Sequence, residues 1–262
     1  IASANDATVA LGEQIAGSEE GFVAMMNARA KELGMNNTNF VNCTGLPAPE
    51  SYSSAKDVSI MFRELIKHPV YFDFASVWLE DFLHPDGRTT SMTNTNKLVR
   101  FYQGCDGGKT GYTCEAQHCL AATAKRGDTR VVAVVIGAKD SQTRFKEVSD
   151  MFNYAFANYQ SNVYMSTKDT HQVSVDGGKQ SCVEVAPIEK LVAFGKKGNN
   201  NYTLQVDLPQ NVKAPISKGD VVGQAHLIDE KGGIFKSVDL IAKCDVEAKT
   251  YWDYVKEIVT AK

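Results

Sequence analysis

The sequence lacks several features that would assign it to common classes of protein. Its 262 residues contain no run of about 20 apolar residues, the length that a membrane-spanning helix needs. The net charge is −3 and no basic segment is clustered, which argues against binding to nucleic-acid phosphates. Internal repeats and low-complexity tracts are also missing. With 43% hydrophobic residues, the composition is typical of a globular protein with a sizeable core.

The six cysteines form no C-x-x-C pair, and their spacing matches no standard structural zinc site. The residues that would form a metal cluster are Cys105, Cys114, His118 and Cys119. We favour the simpler interpretation, in which these four residues bind no metal. Cys182 and Cys244 could form a disulfide in an oxidising compartment, although free thiols are the preferred prediction.

Apolar periodicity predicts helices in the first third of the chain, over residues 5–16, 18–34 and 54–68. Ser18 and Ser54 precede two of these segments and are predicted N-caps. The following stretch, residues 78–104, lacks a clear period. It is predicted to be rich in loops, with a turn at residues 85–87.

The pattern then changes to strands, predicted over residues 107–113, 119–125 and 130–136. Asp140 is the predicted N-cap of a helix that completes a first domain of residues 1–158. Short alternating segments then predict an all-β domain over residues 163–247. Residues 248–262 are predicted to begin an amphipathic helix.

Two short motifs lie at informative places in this pattern. An S-A-N run places Ser3 and Asn5 at the start of the first helix, and a K-T-G run begins at Lys109 on a predicted strand. Each motif is weak alone, because Ser3 and Asn5 could cap the helix and Lys109 could be a solvated strand end. The order of the two motifs and their placement on a helix and a strand make the pair informative. They have the S-x-N and K-T-G forms of serine acyltransferases.

Longer runs of residues carry a resemblance to one family. These runs are NDATVA (5–10), TGLP (44–47), YSSAKD (52–57), NTNKL (94–98), DGGKTGYT (106–113) and ATAKR (122–126). In this order they resemble the low-molecular-mass penicillin-binding proteins that are D-alanyl-D-alanine carboxypeptidases of peptidase family S11. The resemblance covers residues 1–158, and the β-rich region that follows is similar to the second domain of that family.

The resemblance implies an α+β fold. A helix-flanked antiparallel sheet of the β-lactamase/transpeptidase-like fold, N-terminally incomplete here, would precede a small all-β C-terminal domain. The implied activity is removal of the terminal D-Ala from peptidoglycan stem peptides through an acyl-enzyme, with acylation by β-lactams. The implied location is extracytoplasmic, on the outer face of the bacterial cytoplasmic membrane or secreted. No metal or organic cofactor and no nucleic acid is implied.

The resemblance also implies the catalytic roles of three residues. Ser3 would relay a proton to the leaving amine. Asn5 would hold the substrate amide and the lysine of the nucleophile motif. Lys109 would supply a positive field that favours ionisation of the nucleophile and attracts the terminal carboxylate of the substrate.

Four further residues are implied to bind substrate. Thr110 would donate a hydrogen bond to the terminal carboxylate, and Gly111 would let the substrate backbone lie against the strand. Tyr112 would border the substrate. Arg144 would be a second anchor for the carboxylate, a task that suits a guanidinium, although alone it could be a charge on a helix surface.

The nucleophilic serine of the family lies in an S-x-x-K motif that precedes the S-x-N motif. We therefore expect the segment with the nucleophile to lie before residue 1. Ser53 and Lys56 fit the S-x-x-K pattern, but they follow the S-x-N motif and belong to the YSSAKD run, which begins a helix. Ser53 is accordingly expected to have no catalytic role.

Two alternative functions remain open at this stage. A β-lactamase needs an efficient deacylating base such as a glutamate, and the stretch 78–104 carries only Glu80. A non-catalytic peptidoglycan-binding protein would need no nucleophile at all.

The C-terminal helix also has two interpretations. In the first, it lies on a membrane surface through Tyr251, Trp252 and the lysines at 249, 256 and 262. In the second, it docks on the β-rich domain.

Overall fold

The structure, a computed structural model, describes residues 2–198 and 201–260. The chain divides into two units, one that ends at Asn158 and one that begins at Tyr159. Both units combine helices with antiparallel strand pairs, and this confirms the predicted α+β class.

The helices of the first unit are α1 (Asn5–Ala16), α2 (Glu19–Glu32), α3 (Ala55–Leu65), α4 (Val70–Ala75), α5 (Leu98–Phe101) and α6 (Ser141–Asn158). Its strands are β1 (Leu79–Leu83), β2 (Thr89–Thr93), β3 (Cys105–Thr113), β4 (Gln117–Arg126) and β5 (Thr129–Ala138). The predicted N-caps are confirmed, because the side chains of Ser18, Ser54 and Asp140 accept hydrogen bonds from the backbone N–H groups three residues later.

An antiparallel sheet in the order β3-β4-β5 forms the centre of the first unit. Alternate residues of β4 point to a core that includes Leu120 and Ala122, and α6 contributes the buried side chains of Val148 and Phe152 to the same core. Helix α3 packs against β5 at the other edge of the sheet from β3. Strand β3 is therefore an edge strand among the described residues.

The stretch 78–104, predicted to be rich in loops, also contains regular secondary structure. Strands β1 and β2 form an antiparallel hairpin there, and α5 follows it. Every residue of β1 is exposed, and β2 is exposed except at Met92. A hairpin without a buried face leaves no alternation of apolar and polar residues in the sequence, so the period that identifies strands is absent. The predicted turn at residues 85–87 does close this hairpin, where Gly87 N–H donates to the His84 carbonyl.

The second unit is built mainly from strands. They are β6 (Tyr159–Met165), β7 (His171–Asp176), β8 (Cys182–Pro187), β9 (Leu191–Lys196), β10 (Thr203–Asp207), β11 (Asn211–Lys213), β12 (Val221–Ile228) and β13 (Ile234–Ala242). One sheet has the order β10-β12-β13-β8-β7-β11, and β6 pairs with β9. Val183, Val185, Leu227 and Leu240 lie in its core.

Helix α7 (Tyr251–Thr260) ends the described part of the second unit. The carbonyl of Gly177 accepts a hydrogen bond from Lys249 N–H just before the helix, which ties its start to the β-rich unit. The side chains of Tyr251, Trp252, Ile258 and Val259 are each more than two-thirds exposed. The predicted membrane-facing Lys262 lies outside the described residues.

Candidate active site

Strand β3 presents the K-T-G run at the free edge of its sheet. Thr110 pairs with the buried Leu120 on β4 and is itself buried, whereas Lys109 and Gly111 point to the opposite face. Side chains on both faces of an edge strand border the same free edge. The backbone N–H and C=O groups along that edge can pair with an extended peptide.

The ammonium of Lys109 folds back over the strand and donates to the carbonyl oxygen of Thr110. Partial burial of the ammonium lowers the pKa of Lys109, and the positive charge of Arg144 lowers it further. An ammonium that is partly desolvated beside a second cation favours the approach of an anion.

Arg144 lies in the first turns of α6 and is only 8% exposed. Its Nη1 donates to the carbonyl oxygens of Gly111 at 3.0 Å and Cys119 at 3.2 Å, and these bonds attach the guanidinium to the backbones of β3 and β4. The Nε atom is buried, and it forms no hydrogen bond with any of the described residues. Burial lowers the pKa of Arg144, and within residues 2–198 and 201–260 no carboxylate forms an ion pair with it. A buried cation of this kind is costly unless an anion joins it.

Open space lies beside Gly111. A Cβ atom added to this residue would come near only the Cβ of Cys119, at 3.9 Å. The next residue, Tyr112, is 61% exposed and packs against His118, with the ring centroids 4.5 Å apart. The strand that carries the K-T-G run therefore has free space beside Gly111, and the exposed ring of Tyr112 borders that space.

The segment before α5 supports β3 from within the unit. Asn96 is fully buried, and its Nδ2 donates to the Gly107 carbonyl oxygen at 3.3 Å. Thr95 meets Thr110 through their hydroxyl groups, 2.8 Å apart. On the sequence alone, residues 94–98 contributed to the family resemblance but received no role. The signal that could have found them is a run of polar residues directly before an apolar helix.

Tyr71 of α4 also packs against β3. A Cβ atom added to Gly107 would lie 2.8 Å from Cε1 of Tyr71, so only glycine fits there without a shift of one of the two. Burial raises the pKa of Tyr71 to about 12. The ring of Tyr71 therefore packs closely against the backbone of β3 at Gly107.

Ser3 and Asn5 lie at the exposed start of α1. The N-cap of this helix is Ala4, and no side chain caps it, so neither predicted residue has the simple capping role. Ser3 has a φ of 59°, in the left-handed region that non-glycine residues rarely occupy. No hydrogen bond within the described ranges joins Ser3 or Asn5 to Lys109. The catalytic roles of Ser3 and Asn5 stay predictions.

Ser53 and Lys56, the S-x-x-K match inside the chain, lie at the beginning of α3. The hydroxyl of Ser53 is 2.9 Å from that of Thr38, which also donates to Asp57 at 2.9 Å. Ser54 next to it caps the helix. These contacts are those of a helix start stabilised by local hydrogen bonds.

The cysteines and possible metal ligands among the described residues do not have the geometry that a metal site needs. All six are free thiols, and no group of three His, Cys, Asp or Glu side chains in the described residues has a geometry that could hold a metal. Cys105 is buried, and burial raises its pKa to about 11, so it behaves as a small apolar side chain.

Comparison with known proteins identifies both units. Residues 1–140 match the family model described as D-alanyl-D-alanine carboxypeptidase. Residues 160–248 match the model described as penicillin-binding protein 5, C-terminal domain.

Two curated relatives match almost the whole chain. The D-alanyl-D-alanine carboxypeptidase DacF of Bacillus subtilis is 39% identical over 98% of this chain and 66% of its own length. DacC of Escherichia coli, another D-alanyl-D-alanine carboxypeptidase, is 32% identical over 97% of this chain and 64% of its own length. The chain thus spans slightly less than two thirds of each relative.

Solved structures show the same fold. A peptidoglycan synthesis regulatory factor (PBP3) from Streptococcus pneumoniae has a TM-score of 0.69 and 27% identity, over 94% of this chain and 74% of that one. Penicillin binding protein 5 from Haemophilus influenzae has a TM-score of 0.62 and 29% identity, over 94% and 71%. The likeness confirms the transpeptidase-like fold that the sequence predicted. The chain belongs to the D-alanyl-D-alanine carboxypeptidase family, peptidase family S11.

Proposed function

We propose that the protein is a serine-type D-alanyl-D-alanine carboxypeptidase that removes the terminal D-Ala from peptidoglycan stem peptides and is acylated by β-lactams. The observation that carries this proposal is the buried guanidinium of Arg144, which pairs with no carboxylate among the described residues and is bonded to the carbonyl oxygen of Gly111. A free carboxylate at the end of an extended peptide supplies the missing anion. Lys109 adds a second positive charge on β3, the strand to which Arg144 is bonded.

In this proposal the end of the peptide lies along the free edge of β3. Its terminal carboxylate meets Lys109, Thr110 and Arg144, and the space beside Gly111 admits its backbone. A seryl Oγ attacks the carbonyl carbon of the penultimate D-Ala, the C–N bond breaks, and the terminal D-Ala leaves with a proton. Water then hydrolyses the acyl ester and returns the proton to the serine.

The remaining catalytic roles follow the family motifs. Ser3 relays the proton to the leaving amine, and Asn5 holds the substrate amide. The nucleophile is proposed to come from an S-x-x-K segment upstream of Ser3, because Ser53 and Lys56 form part of the α3 start.

Fluorescent penicillin tests the proposed function and the position of the nucleophile together. Residues 1–262 alone should form no covalent adduct, whereas the same residues extended by an upstream S-x-x-K segment should be labelled at one serine in that segment. Ser53→Ala in the extended form should be labelled as fully as the parent protein. Mass spectrometry locates the adduct. An adduct on Ser53, or an extended protein that resists acylation, would contradict the proposal.

We further propose that α7 lies on the outer surface of the cytoplasmic membrane. No helix in the described residues is long and apolar enough to cross a membrane. The exposed aromatic pair Tyr251 and Trp252 suits an interfacial helix. Lys249 is less suited than the sequence suggested, because its ammonium pairs with Glu257 and lies over the Tyr254 ring. Lys256 is therefore the better candidate for contact with anionic headgroups.

Sedimentation with vesicles of phosphatidylglycerol and phosphatidylethanolamine tests this surface. We expect the double change Tyr251→Ser and Trp252→Ser to weaken binding about tenfold or more, because two large apolar side chains no longer enter the interface. Ile234→Ser is the matched control, since it removes an exposed apolar side chain of the same unit outside α7. Equal sedimentation of the double variant and the parent chain would remove the proposal.

A further inference from the structure

The hydroxyl of Thr110 already has a partner in the unliganded site. It donates to Oγ1 of Thr95, 2.8 Å away, although Thr110 itself is buried on β3. A hydroxyl group has one proton to donate and two lone pairs that accept. The proton that the proposed function assigns to the substrate carboxylate is therefore engaged with Thr95 before substrate arrives.

Thr95 is held in this place by its two neighbours. Asn94 is buried and donates through Nδ2 to the carbonyl oxygens of Ala75 and Val77 at 3.1 and 2.9 Å. Asn96 N–H donates to Oδ1 of Asn94 at 2.9 Å. Together with the bond from Asn96 to β3, these contacts fix the backbone on both sides of Thr95. Thr95 is exposed as a residue, and its hydroxyl accepts the hydrogen bond from Thr110.

We propose that Thr95 is a positioning residue for recognition of a free carboxylate, an inference that rests on the proposed function. When the carboxylate binds, the hydroxyl pair reverses: Thr95 donates to Thr110, and Thr110 donates to the carboxylate. In the unliganded site the bond runs from Thr110 to Thr95, so the reversal requires rotation about both C–O bonds and a small adjustment of the Thr95 side chain. A hydroxyl that accepts one hydrogen bond is a stronger donor for the next, and the gain is largest when the final acceptor is charged.

This role predicts a selective effect. Loss of the Thr95 hydroxyl should weaken ligands that end in a carboxylate more than ligands that end in a neutral amide. A purely structural role for Thr95 would weaken both classes equally, because both lie along the same strand.

The test compares acetyl-D-Ala-D-Ala with its C-terminal amide, titrated into the protein extended by the upstream S-x-x-K segment with the serine of that segment changed to alanine, and followed by NMR at Gly111 and at the Thr110 methyl group. Thr95→Val should lower the affinity for the acid about fivefold, the size expected for one modest hydrogen bond, and should leave the amide unchanged. Thr95→Ser, which keeps the hydroxyl, should bind both ligands as the parent chain does. Thr95→Ala is a second variant without the hydroxyl and should behave as Thr95→Val.

Three outcomes would overturn the proposal, and they differ from one another. If Thr95→Val and Thr95→Ala bind the acid as well as the parent chain, Thr95 does not position Thr110. If acid and amide weaken equally, the residue is structural. If the parent protein binds the acid no better than the amide, the proposed function is contradicted. The role of Thr95 is then contradicted as well, because it depends on recognition of the carboxylate.

Discussion

Lys109→Met lowers the second-order rate of acylation by benzylpenicillin about a hundredfold or more, in the form of the protein that carries the nucleophilic serine. This is the expected result because the change removes a positive charge that acts on both the ligand carboxylate and the developing negative charge. Methionine keeps much of the length of the side chain. Lys109 is exposed as a whole residue, so the variant should keep its fold.

The control for this change is Lys125→Met, which removes an exposed lysine from the neighbouring strand β4. It should acylate at the parent rate. A Lys109→Met protein that reacts within tenfold of the parent would place the necessary cation elsewhere, and Arg144 would be the first residue to examine.

The lowered pKa of Lys109 adds a pH dependence to the same experiment. A lysine is charged below its pKa and neutral above it. Because partial burial and Arg144 lower this pKa, the ammonium loses its charge at a lower pH than an ordinary lysine does. The alkaline loss of acylation should therefore begin earlier than a freely exposed lysine would allow, and Lys109→Met should lack this limb.

Local signals in the sequence were sufficient for much of the first unit. Ser18, Ser54 and Asp140 cap helices through hydrogen bonds to residues three positions later, so each signal and its effect lie within one turn. The turn between β4 and β5 is equally local, because Gly127 in its two-residue connection has a φ of 58°, a conformation that suits glycine. Such features depend on neighbours in sequence and not on the rest of the fold.

The supporting contacts of the site could not be predicted in this way. Thr95 meets Thr110 across 15 residues of sequence, and Asn96 meets Gly107 across 11. Nothing in the periodicity of either segment specifies that they touch. The burial of Arg144 is similar, because the sequence suggested an anchor at this position only through the family resemblance. Only the three-dimensional structure shows that Arg144 is buried and that no carboxylate in the described ranges pairs with it. Ser3 and Asn5 show the opposite case, since their motif is clear in sequence while their contacts with β3 stay predicted.

Gly108 and Gly111 lie on either side of the Lys109–Thr110 pair, and alanine should have a different effect at each. Gly108→Ala should lower the stability of the first unit, whereas Gly111→Ala should lower ligand affinity. A Cβ atom on Gly108 would lie 2.5 Å from Nδ2 of Asn96 and 2.7 Å from the carbonyl oxygen of Ala121. Asn96 is fully buried, and the Ala121 carbonyl is part of the paired strand β4, so neither can yield easily. We expect Gly108→Ala to destabilise the first unit by about 3 kcal/mol, the upper range for overpacking.

Gly111→Ala is the matched partner, because its Cβ atom would meet only Cys119 at 3.9 Å, an ordinary contact. This variant should unfold at nearly the parent temperature. It should lose affinity for acetyl-D-Ala-D-Ala, because the added methyl group occupies the space beside Gly111 in which the ligand backbone is proposed to lie. Calorimetry should show Gly108→Ala about 6–12 °C lower in the Tm of the first unit. If both variants melt alike, Asn96 is not the rigid support of β3. If Gly111→Ala binds the dipeptide normally, the ligand does not lie against this glycine.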